Sequence, residues 1–403
     1  MSSCYAKFTR NTMPSKPPAK QRRIERIQPF HVMALLARAR QLEAEGRDIV
    51  HMEIGEPDFP TPQPIVEAGL EAIKGGDVHY TPATGLRQLR ETIAGFYQRQ
   101  YGVSVDPRRI IVTPGASGAL LLALGVLLER DEAVMLADPG YPCNRNFIYF
   151  LEGQIQNIPV GAKQGYQLTP ALVSEHWQAE TRAILLASPS NPTGTLIPQT
   201  DLQQIIDYAG QQGGQVIIDE IYHGLVYDQE AQTALALSDE VFVINSFSKY
   251  FGMTGWRLGW MVAPEDYIDD VDKLAQNLFL AAPTPAQHAA LAAFTPETRA
   301  ILEQRKNEFK KRRDFLLPAL RELGFKIPVE PQGAFYLYAD CSAFTDNSYA
   351  FALDLLENAG VAITPGKDFG HNAPEKHVRF AYTTELSRLE EGITRLQKYL
   401  KAK

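Results

Sequence analysis

The stretch SFSKYFGMTGWR, from Ser246 to Arg257, places a lysine just after an apolar run, VFVIN, that is typical of a buried strand. A lysine is rarely buried without a partner. Lys249 is therefore either a nucleophile with a shifted pKa or a chance charge in a loop. The small hydroxyl and glycine residues around it slightly favour the nucleophile, and the stretch alone leaves both interpretations open.

Polar side chains follow three other apolar runs of the same kind. Tyr141 lies in DPGYP after AVMLA, Asn191 lies in SPSNPTG after AILLA, and Asp219 and Tyr222 lie in DEIY after QVII. Each residue alone is equally consistent with a cap, a turn or a packed loop aromatic. Ligands of open α/β sheets bind beyond the carboxyl ends of the strands, so we expect all four residues beside Lys249.

A fifth run, RIIV, is followed by TPGASGALLLAL, a turn of small residues that opens directly into a helix. Free backbone N–H groups at the start of such a helix and the helix dipole suit a phosphate, although a plain tight turn is as consistent with these residues. The turn lacks the lysine of a Walker loop and the glycine spacing of a dinucleotide fingerprint. Together, the acid, amide, phenol, aromatic face, phosphate turn and lysine are the groups needed to hold pyridoxal phosphate.

The elements that must position these residues alternate along the chain. The runs RIIVTPG, AVMLADP, AILLASP, QVIIDE and VFVINSF are apolar throughout, with helical patterns at 117–129 and 201–212. This pattern predicts an α/β large domain with a mostly parallel sheet flanked by helices. From Pro296 a long charged pattern predicts a linking helix that stops at Gly324, and AFYLYAD and HVRFAY then predict strands of a smaller α+β domain.

We divide the chain into four parts on this basis. Residues 1–26 form a flexible N-terminal arm, 27–58 a segment that joins the small domain, 59–295 the large cofactor-binding domain, and 296–403 the small C-terminal domain. The first 24 residues are basic and lack acids, which is typical of an organelle targeting segment. The sequence PSKPP and the lack of an amphipathic helix favour a plain extension instead.

The composition narrows the function classes. The chain has 403 residues, of which 45% are hydrophobic and 22% charged, and a net charge of -7. This charge argues against nucleic acid or an anionic membrane as a partner and leaves small molecules. The longest apolar run, GALLLALGVLL, is too short to span a bilayer. The three scattered cysteines favour a reducing compartment, and we expect the cytoplasm; neither cysteines nor histidines show metal-ligand spacing.

The motifs together resemble the class I/II aminotransferases of the fold type I pyridoxal-phosphate family, from about residue 27 to the C-terminus. The lysine signature SFSKYFGMTGWRLG matches throughout, and GEPDFPTP, YTPATGLRQLR, DPGYP, SPSNPTG, DEIY and VRFAY occur in the family's order. The resemblance implies that Lys249 binds the cofactor covalently, that Asp219 pairs with the pyridine nitrogen, and that Asn191 and Tyr222 hold the phenolic oxygen. It also implies a ring stack on Tyr141 and phosphate contacts from Ala116, Ser117, Ser246, Ser248 and Arg257.

Substrate binding and assembly follow from the same resemblance. Arg379 in HVRFAY matches the arginine that clamps the substrate α-carboxylate, beside Asn191, and Gly55 leaves the backbone free to approach the substrate. An arginine inside an apolar strand is costly unless paired, which independently favours an anionic ligand. Tyr80 matches a tyrosine that family members lend to the neighbouring subunit's phosphate, so a homodimer with shared active sites is implied.

The implied reaction moves an amino group from an L-amino acid to a 2-oxo acid by a ping-pong mechanism, with Lys249 transferring the proton. C–S β-elimination, known in relatives of this fold, is the main alternative. A non-catalytic binding or regulatory module is a third, but it conflicts with the retention of Lys249, Asp219 and Arg379 together.

The amino acid used is suggested by the segment PFHV. Phe30 and Val32 occupy the place where aspartate-using bacterial relatives tend to carry a Ser-x-Thr pair, and Ser117 stands where those relatives have a lysine. A distal carboxylate would lack a cation from these positions, whereas burying an apolar side chain contributes roughly 1–3 kcal/mol. We expect a neutral or hydrophobic amino acid. Aspartate or glutamate stays an alternative, because an arginine of the partner subunit or a mobile one in this chain could bind a second carboxylate.

Overall fold

The computed structural model describes residues 22–27 and 29–402. Most of the predicted N-terminal arm, residues 1–21, lies outside the described residues, as do Gln28 and Lys403. The helices are α1 Arg22–Arg26, α2 His31–Ala44, α3 Gln63–Gly75, α4 Arg87–Tyr101, α5 Gly115–Leu127, α6 Pro142–Phe150, α7 Pro170–His176, α8 Gln199–Gln211, α9 Ile268–Leu278, α10 Thr284–Leu291, α11 Pro296–Glu322, α12 Ser348–Asp354 and α13 Leu386–Lys401. The strands are β1 Val50–His51, β2 Ile110–Thr113, β3 Ala133–Asp138, β4 Gln154–Pro159, β5 Thr181–Ala187, β6 Gln215–Asp219, β7 Val241–Ser246, β8 Gly259–Val262, β9 Tyr336–Asp340, β10 Val361–Ala362, β11 Thr364–Pro365 and β12 His377–Ala381.

The large domain is built on a sheet with the strand order β2-β8-β7-β6-β5-β3-β4, seven strands within the described ranges. β8 pairs antiparallel with both of its neighbours, and the other strands run in one direction. The predicted α/β class with a mostly parallel sheet is confirmed. The sequence analysis did not predict β4 or β8, because β4 carries polar residues on an edge and β8 is a short run directly after the lysine motif.

Both faces of this sheet are buried, which explains why its central strands are apolar throughout. Ile184, Ile218 and Val243 pack into a core on one face, and the alternate residues Leu185 and Ile217 pack into a second core on the other face. Side chains of a strand point alternately to its two faces, so a strand covered by helices on both sides needs apolar residues at every position.

The small domain has its own core around a three-stranded antiparallel sheet with the order β11-β12-β9, counted over the described residues. The long helix α11 leads into it and ends at Glu322, just before Gly324, which has φ of +104° and closes the helix. Gly324 therefore stops the linking helix as the sequence predicts.

The N-terminal segment packs with this small domain. Strand β1 pairs in parallel with β10, and Leu35, Ala39 and Leu42 of α2 lie in the small domain's core. The carboxylate of Asp368 accepts hydrogen bonds from the backbone N–H groups of His31 and Val32, each at 2.8 Å. These bonds hold the first turn of α2 in place, which fixes the residues just before it.

Candidate active site

Lys249 lies three residues beyond the end of β7, at the carboxyl edge of the large sheet. Its Nζ donates a hydrogen bond to the carbonyl oxygen of Gly55 at 2.7 Å, so it reaches across to the N-terminal segment. Burial lowers the pKa of Lys249 to about 8, while the charge of Glu56 opposes that shift and Arg379 adds to it. The neutral form of the amine, which a nucleophile or a base requires, is therefore far more populated near neutral pH than in a lysine with the usual pKa.

Asp219 is the last residue of the neighbouring strand β6, and its side chain is buried. Its Oδ1 accepts a hydrogen bond from the N–H of Ile221 at 3.1 Å. Burial raises the pKa of Asp219 to about 7, and the charge of Lys249 only partly offsets this. Within the described part of the chain, Asp219 forms no ion pair within 4 Å, so this buried carboxylate suits a cationic group brought by a ligand.

Arg379, in the middle of β12, is only 3% exposed. It donates hydrogen bonds to Asn191 Oδ1 at 2.9 Å and to the carbonyl oxygen of Glu53 at 2.6 Å, and it lies 4.3 Å from the ring centroid of Tyr336. Its Nε has no hydrogen-bond partner among the described residues. A buried guanidinium held by neutral acceptors with one free N–H suits a carboxylate.

The phenols of Tyr222 and Tyr336 meet beside this arginine. Their hydroxyl oxygens are 2.9 Å apart, and burial raises the pKa of Tyr222 well above its usual range. Both hydroxyls therefore stay protonated and can donate to an acceptor. Gly55 lies so close that a Cβ there would fall 1.9 Å from the hydroxyl oxygen of Tyr336. Only glycine fits at position 55 without displacing that ring.

The opposite end of the site is formed by the first turn of α5, which begins at Gly115 with φ of +73°. A Cβ on Gly115 would lie 2.7 Å from Nη2 of Arg257, so glycine lets the guanidinium approach this helix start. Ser246 Oγ accepts a hydrogen bond from the N–H of Ser248 at 3.0 Å. Backbone N–H groups of a first helical turn lack partners within the helix, and with the guanidinium they suit a phosphate.

These residues line one cavity of about 210 Å³ between the two domains. Within a single chain, Tyr80 lies outside it and is 83% exposed. The sequence analysis did not predict several residues that line this cavity, and their position close to a motif was the only sequence feature that pointed to them. These residues are Met33, Glu53, Ile54, Leu120, Ala187, Ile221, Thr254 and Tyr336. The predicted residues that line the cavity are Phe30, Val32, Gly55, Ala116, Ser117, Tyr141, Asn191, Asp219, Tyr222, Ser246, Ser248, Lys249, Arg257 and Arg379.

The donor set fits pyridoxal phosphate at each polar group of that molecule. A buried carboxylate without an ion pair, Asp219, suits the ring nitrogen, and the hydroxyl of Tyr222 suits the phenolic oxygen. The helix start suits the phosphate, because glycine at position 115 lets the guanidinium of Arg257 lie directly beside it. The lysine with a lowered pKa completes the set.

Comparison with known proteins agrees with this geometry. The family model "Aminotransferase class I and II" matches residues 47–396. The valine–pyruvate aminotransferase of Mycobacterium tuberculosis is 37% identical over 376 residues, covering 93% of this chain and 97% of that protein. The (5-formylfuran-3-yl)methyl phosphate transaminase of Methanocaldococcus jannaschii is 36% identical over 383 residues, covering 94% and 99%. A crystal structure of an aminotransferase from Mycobacterium tuberculosis superposes with a TM-score of 0.92 at 36% identity, covering 96% of this chain and all of that chain.

The chain belongs to the class I and II aminotransferase family, whose members depend on pyridoxal phosphate. It is an aminotransferase, which transfers an amino group between an amino acid and a 2-oxo acid. The alternative of C–S β-lyase activity is not favoured by these relatives. None of the helices in the described ranges combines the length and apolar character that crossing a bilayer requires.

Proposed function

We propose that this aminotransferase holds pyridoxal 5'-phosphate in the cavity between its domains, with Lys249 as the covalent attachment. The observation that carries the proposal is that three groups line one cavity: the amine of Lys249, the carboxylate of Asp219, which has no ion pair among the described residues, and the guanidinium of Arg379. Tyr222 and Asn191 would hold the phenolic oxygen and Tyr141 would contact the ring, while the start of α5 would bind the phosphate together with Ser246, Ser248 and Arg257. When bound, the cofactor supplies an electrophilic carbon and an electron-withdrawing ring that stabilises negative charge on the substrate's Cα.

The protein's own groups perform the remaining steps. Arg379 binds the substrate α-carboxylate through its free N–H, and Asn191 orients the guanidinium. The neutral amine of Lys249 accepts the proton from Cα, because burial and the charge of Arg379 keep its pKa low. Asp219 would be ionised beside a cationic ring nitrogen and would keep that nitrogen protonated. Two such half-reactions in sequence give ping-pong kinetics.

The preferred substrate is a neutral or hydrophobic amino acid. Among the described residues that line the cavity, the cations are Lys249, Arg257 and Arg379. In this proposal Lys249 and Arg257 bind the cofactor, and Arg379 binds the substrate α-carboxylate. A distal carboxylate would lack a partner there, and burying it unpaired is costly. The surface near the N-terminal segment is apolar and suits an aliphatic or aromatic side chain: Phe30, Val32, Met33, Ile54 and Leu120. The name of the valine–pyruvate relative points the same way.

The active form is a homodimer in which Tyr80 reaches the neighbouring active site. Tyr80 is exposed in the single chain, and exposed apolar side chains also occur on α3, in the loop after it and at and just beyond the end of α9. The loop is held to α10 by a hydrogen bond from Thr284 Oγ1 to the carbonyl oxygen of His79 at 2.7 Å. The exposed members are Leu70, Ile73, Val78, Tyr80, Leu278 and Leu280. Exposed apolar groups of this kind mark protein interfaces.

A cytoplasmic location is proposed from the cysteine usage alone.

Borohydride reduction of the holoenzyme, followed by peptide mapping, tests the cofactor site. We expect the reduced label on Lys249, and we expect Lys249→Ala to abolish transamination and the cofactor's absorbance band in the enzyme. Tyr250→Phe leaves the neighbouring lysine in place and serves as a matched control that keeps the label. Label on any other lysine would contradict the assignment.

A panel of kcat/KM values over alanine, valine, leucine, phenylalanine, glutamate and aspartate tests the substrate class. We expect the best neutral amino acid to exceed aspartate by about tenfold or more, since tenfold corresponds to only about 1.4 kcal/mol and burying an ionised carboxylate without a partner costs more than that. Aspartate as the best amino donor would reject the proposed preference while leaving the aminotransferase assignment intact.

A further inference from the structure

A second cavity, of about 260 Å³, lies behind the catalytic edge between α4, the segment after Tyr222 and the first part of α11. It shares no lining residue with the active-site cavity. Two of its lining residues, His223 and Tyr250, directly follow Tyr222 and Lys249 in the chain. The second cavity is thus adjacent in the chain to two of the proposed catalytic residues.

The floor of this second cavity is aromatic. Phe96 packs against Tyr101 and Phe294 with ring centroids 5.8 and 5.4 Å apart, and all three rings line the cavity. Gly224 allows Tyr250 to pack close, since a Cβ there would lie 2.1 Å from Cγ of the tyrosine. An apolar cavity of about 150 Å³ accommodates a benzene molecule, so this space has room for an aromatic ring with a short chain.

The rim of the second cavity is cationic. Arg99, Arg299 and Lys306 line it, and among the described residues none of them forms an ion pair within 4 Å. Arg299 donates a hydrogen bond to Gln100 at 3.2 Å, which directs its guanidinium along the rim.

Two carboxylates share the rim with these cations. Glu303 accepts a hydrogen bond from the hydroxyl of Tyr250 at 2.6 Å, and Glu230 is exposed. Three cations against two carboxylates leave a net positive charge above an aromatic floor. A ligand with one negative charge and an apolar ring complements both features.

We propose that this second cavity is a binding site for small aromatic carboxylates, separate from the substrate site at Arg379. The ring stacks on Phe96, Tyr101 and Phe294, and the carboxylate binds Arg299 and Lys306. An aromatic amine of the same size lacks the anion that these cations require and is excluded.

The test uses the holoenzyme and 4-bromophenylacetate, with isothermal titration calorimetry and anomalous bromine density in crystals. We expect bromine in the second cavity, and we expect the double variant Arg299→Gln, Lys306→Gln to bind the compound there at least tenfold more weakly. That variant should keep its transaminase kcat/KM, because neither residue touches the substrate cavity. Lys311→Gln, which removes one charge from the same helix outside the cavity, should bind as the wild type does, and 2-phenylethylamine should not bind in the second cavity.

The outcomes separate this site from the proposed substrate site. Bromine only beside Arg379, with the double variant unchanged, overturns the second site and leaves the proposed function standing. Bromine in the second cavity without a matching calorimetric binding event means binding at crystal concentration only, and it overturns the proposal as well. If Lys311→Gln weakens binding as much as the double variant, the effect is one of general charge, and the assignment of Arg299 and Lys306 fails.

Discussion

At the scale of single residues, burial in the active-site cavity shifts the pKa of an acid upwards and the pKa of a base downwards. Burial raises the pKa of Asp219 to about 7 and lowers that of Lys249 to about 8. Both shifts have the same origin, because a poorly solvated site disfavours any charge that lacks a close partner. A cationic ring nitrogen beside Asp219 would remove the penalty on the acid, so ligand binding and ionisation of this carboxylate are linked.

A first prediction concerns Asp219 in the apoprotein. Its pKa is raised from 3.8 to about 7 by folding, so the folded state binds an extra proton between these values and loses stability as the pH rises from about 4 to 7. We expect Asp219→Asn to stabilise the apoprotein at pH 8 by on the order of 1–3 kcal/mol, because it removes a buried unpaired charge. The gain should shrink towards pH 4. Thermal unfolding of both apoproteins across this range measures it.

The same variant should lose transaminase activity, since a neutral amide cannot keep a ring nitrogen protonated. Stability gained at pH 8 together with activity lost is a combination that a purely structural aspartate would not give. Asp207→Asn, at an exposed position in α8, is the matched control for the amide substitution. A stability difference for Asp219→Asn that is constant from pH 4 to pH 8 would contradict the shifted pKa.

At the scale of elements, the site depends on where strands end and where α5 begins. The carboxyl ends of β6 and β7 bring Asp219 and Lys249 to one edge. Helix α5 starts two residues earlier than the sequence pattern suggests, at Gly115, whose positive φ turns the chain directly from β2 into the helix. Arg257 also has a positive φ, of +52°, which is uncommon for a residue with a side chain and turns its guanidinium towards that helix start.

The second prediction follows from this helix start. Gly115→Ala places a Cβ 2.7 Å from Arg257 Nη2 and strains a left-handed backbone, so we expect the Kd for pyridoxal phosphate to rise about tenfold or more. Titration of the apoenzyme with cofactor, followed by absorbance, gives the value. Gly210→Ala in α8 has no atom within 4 Å of the new Cβ and should stabilise the fold by roughly 0.5–1 kcal/mol without changing cofactor affinity. Equal affinities for the two variants would show that the helix start does not bind the phosphate.

At the scale of the whole molecule, the cavity belongs to neither domain alone. The large sheet supplies Lys249 and Asp219, the small domain supplies Arg379, and the N-terminal segment adds Phe30 and Val32. Asp368 of the small domain holds the first turn of α2 through two backbone N–H groups, so the position of Phe30 and Val32 depends on the small domain. The proposed dimer would add Tyr80 from a second copy.

The third prediction tests that dimer. The Tyr80→Ala chain keeps its own Lys249 but lends no tyrosine to its partner. The Lys249→Ala chain lacks the catalytic amine but still lends Tyr80. In a hybrid dimer, the site on the Tyr80→Ala chain therefore has both residues. Mixing the two inactive proteins under conditions that allow exchange should therefore restore up to about half the activity per hybrid dimer. Hybrid dimers verified by mass spectrometry that stay inactive would rule out sharing of Tyr80.

The sequence alone determined the α/β class, the linking helix and the residues at strand ends, because these depend on local periodicity and on motifs of a few residues. The sequence did not predict that Tyr336, Met33 and Leu120 line the cavity, because they reach it only after distant segments pack. Lys249 bonds to Gly55 across 194 positions of the chain, and Arg379 bonds to Glu53 across 326. The shifted pKa values of Asp219 and Lys249 and the second cavity behind Tyr250 were likewise decided by tertiary structure. Burial and the gap between packed helices are properties of the assembled chain, and no short stretch of residues contains them.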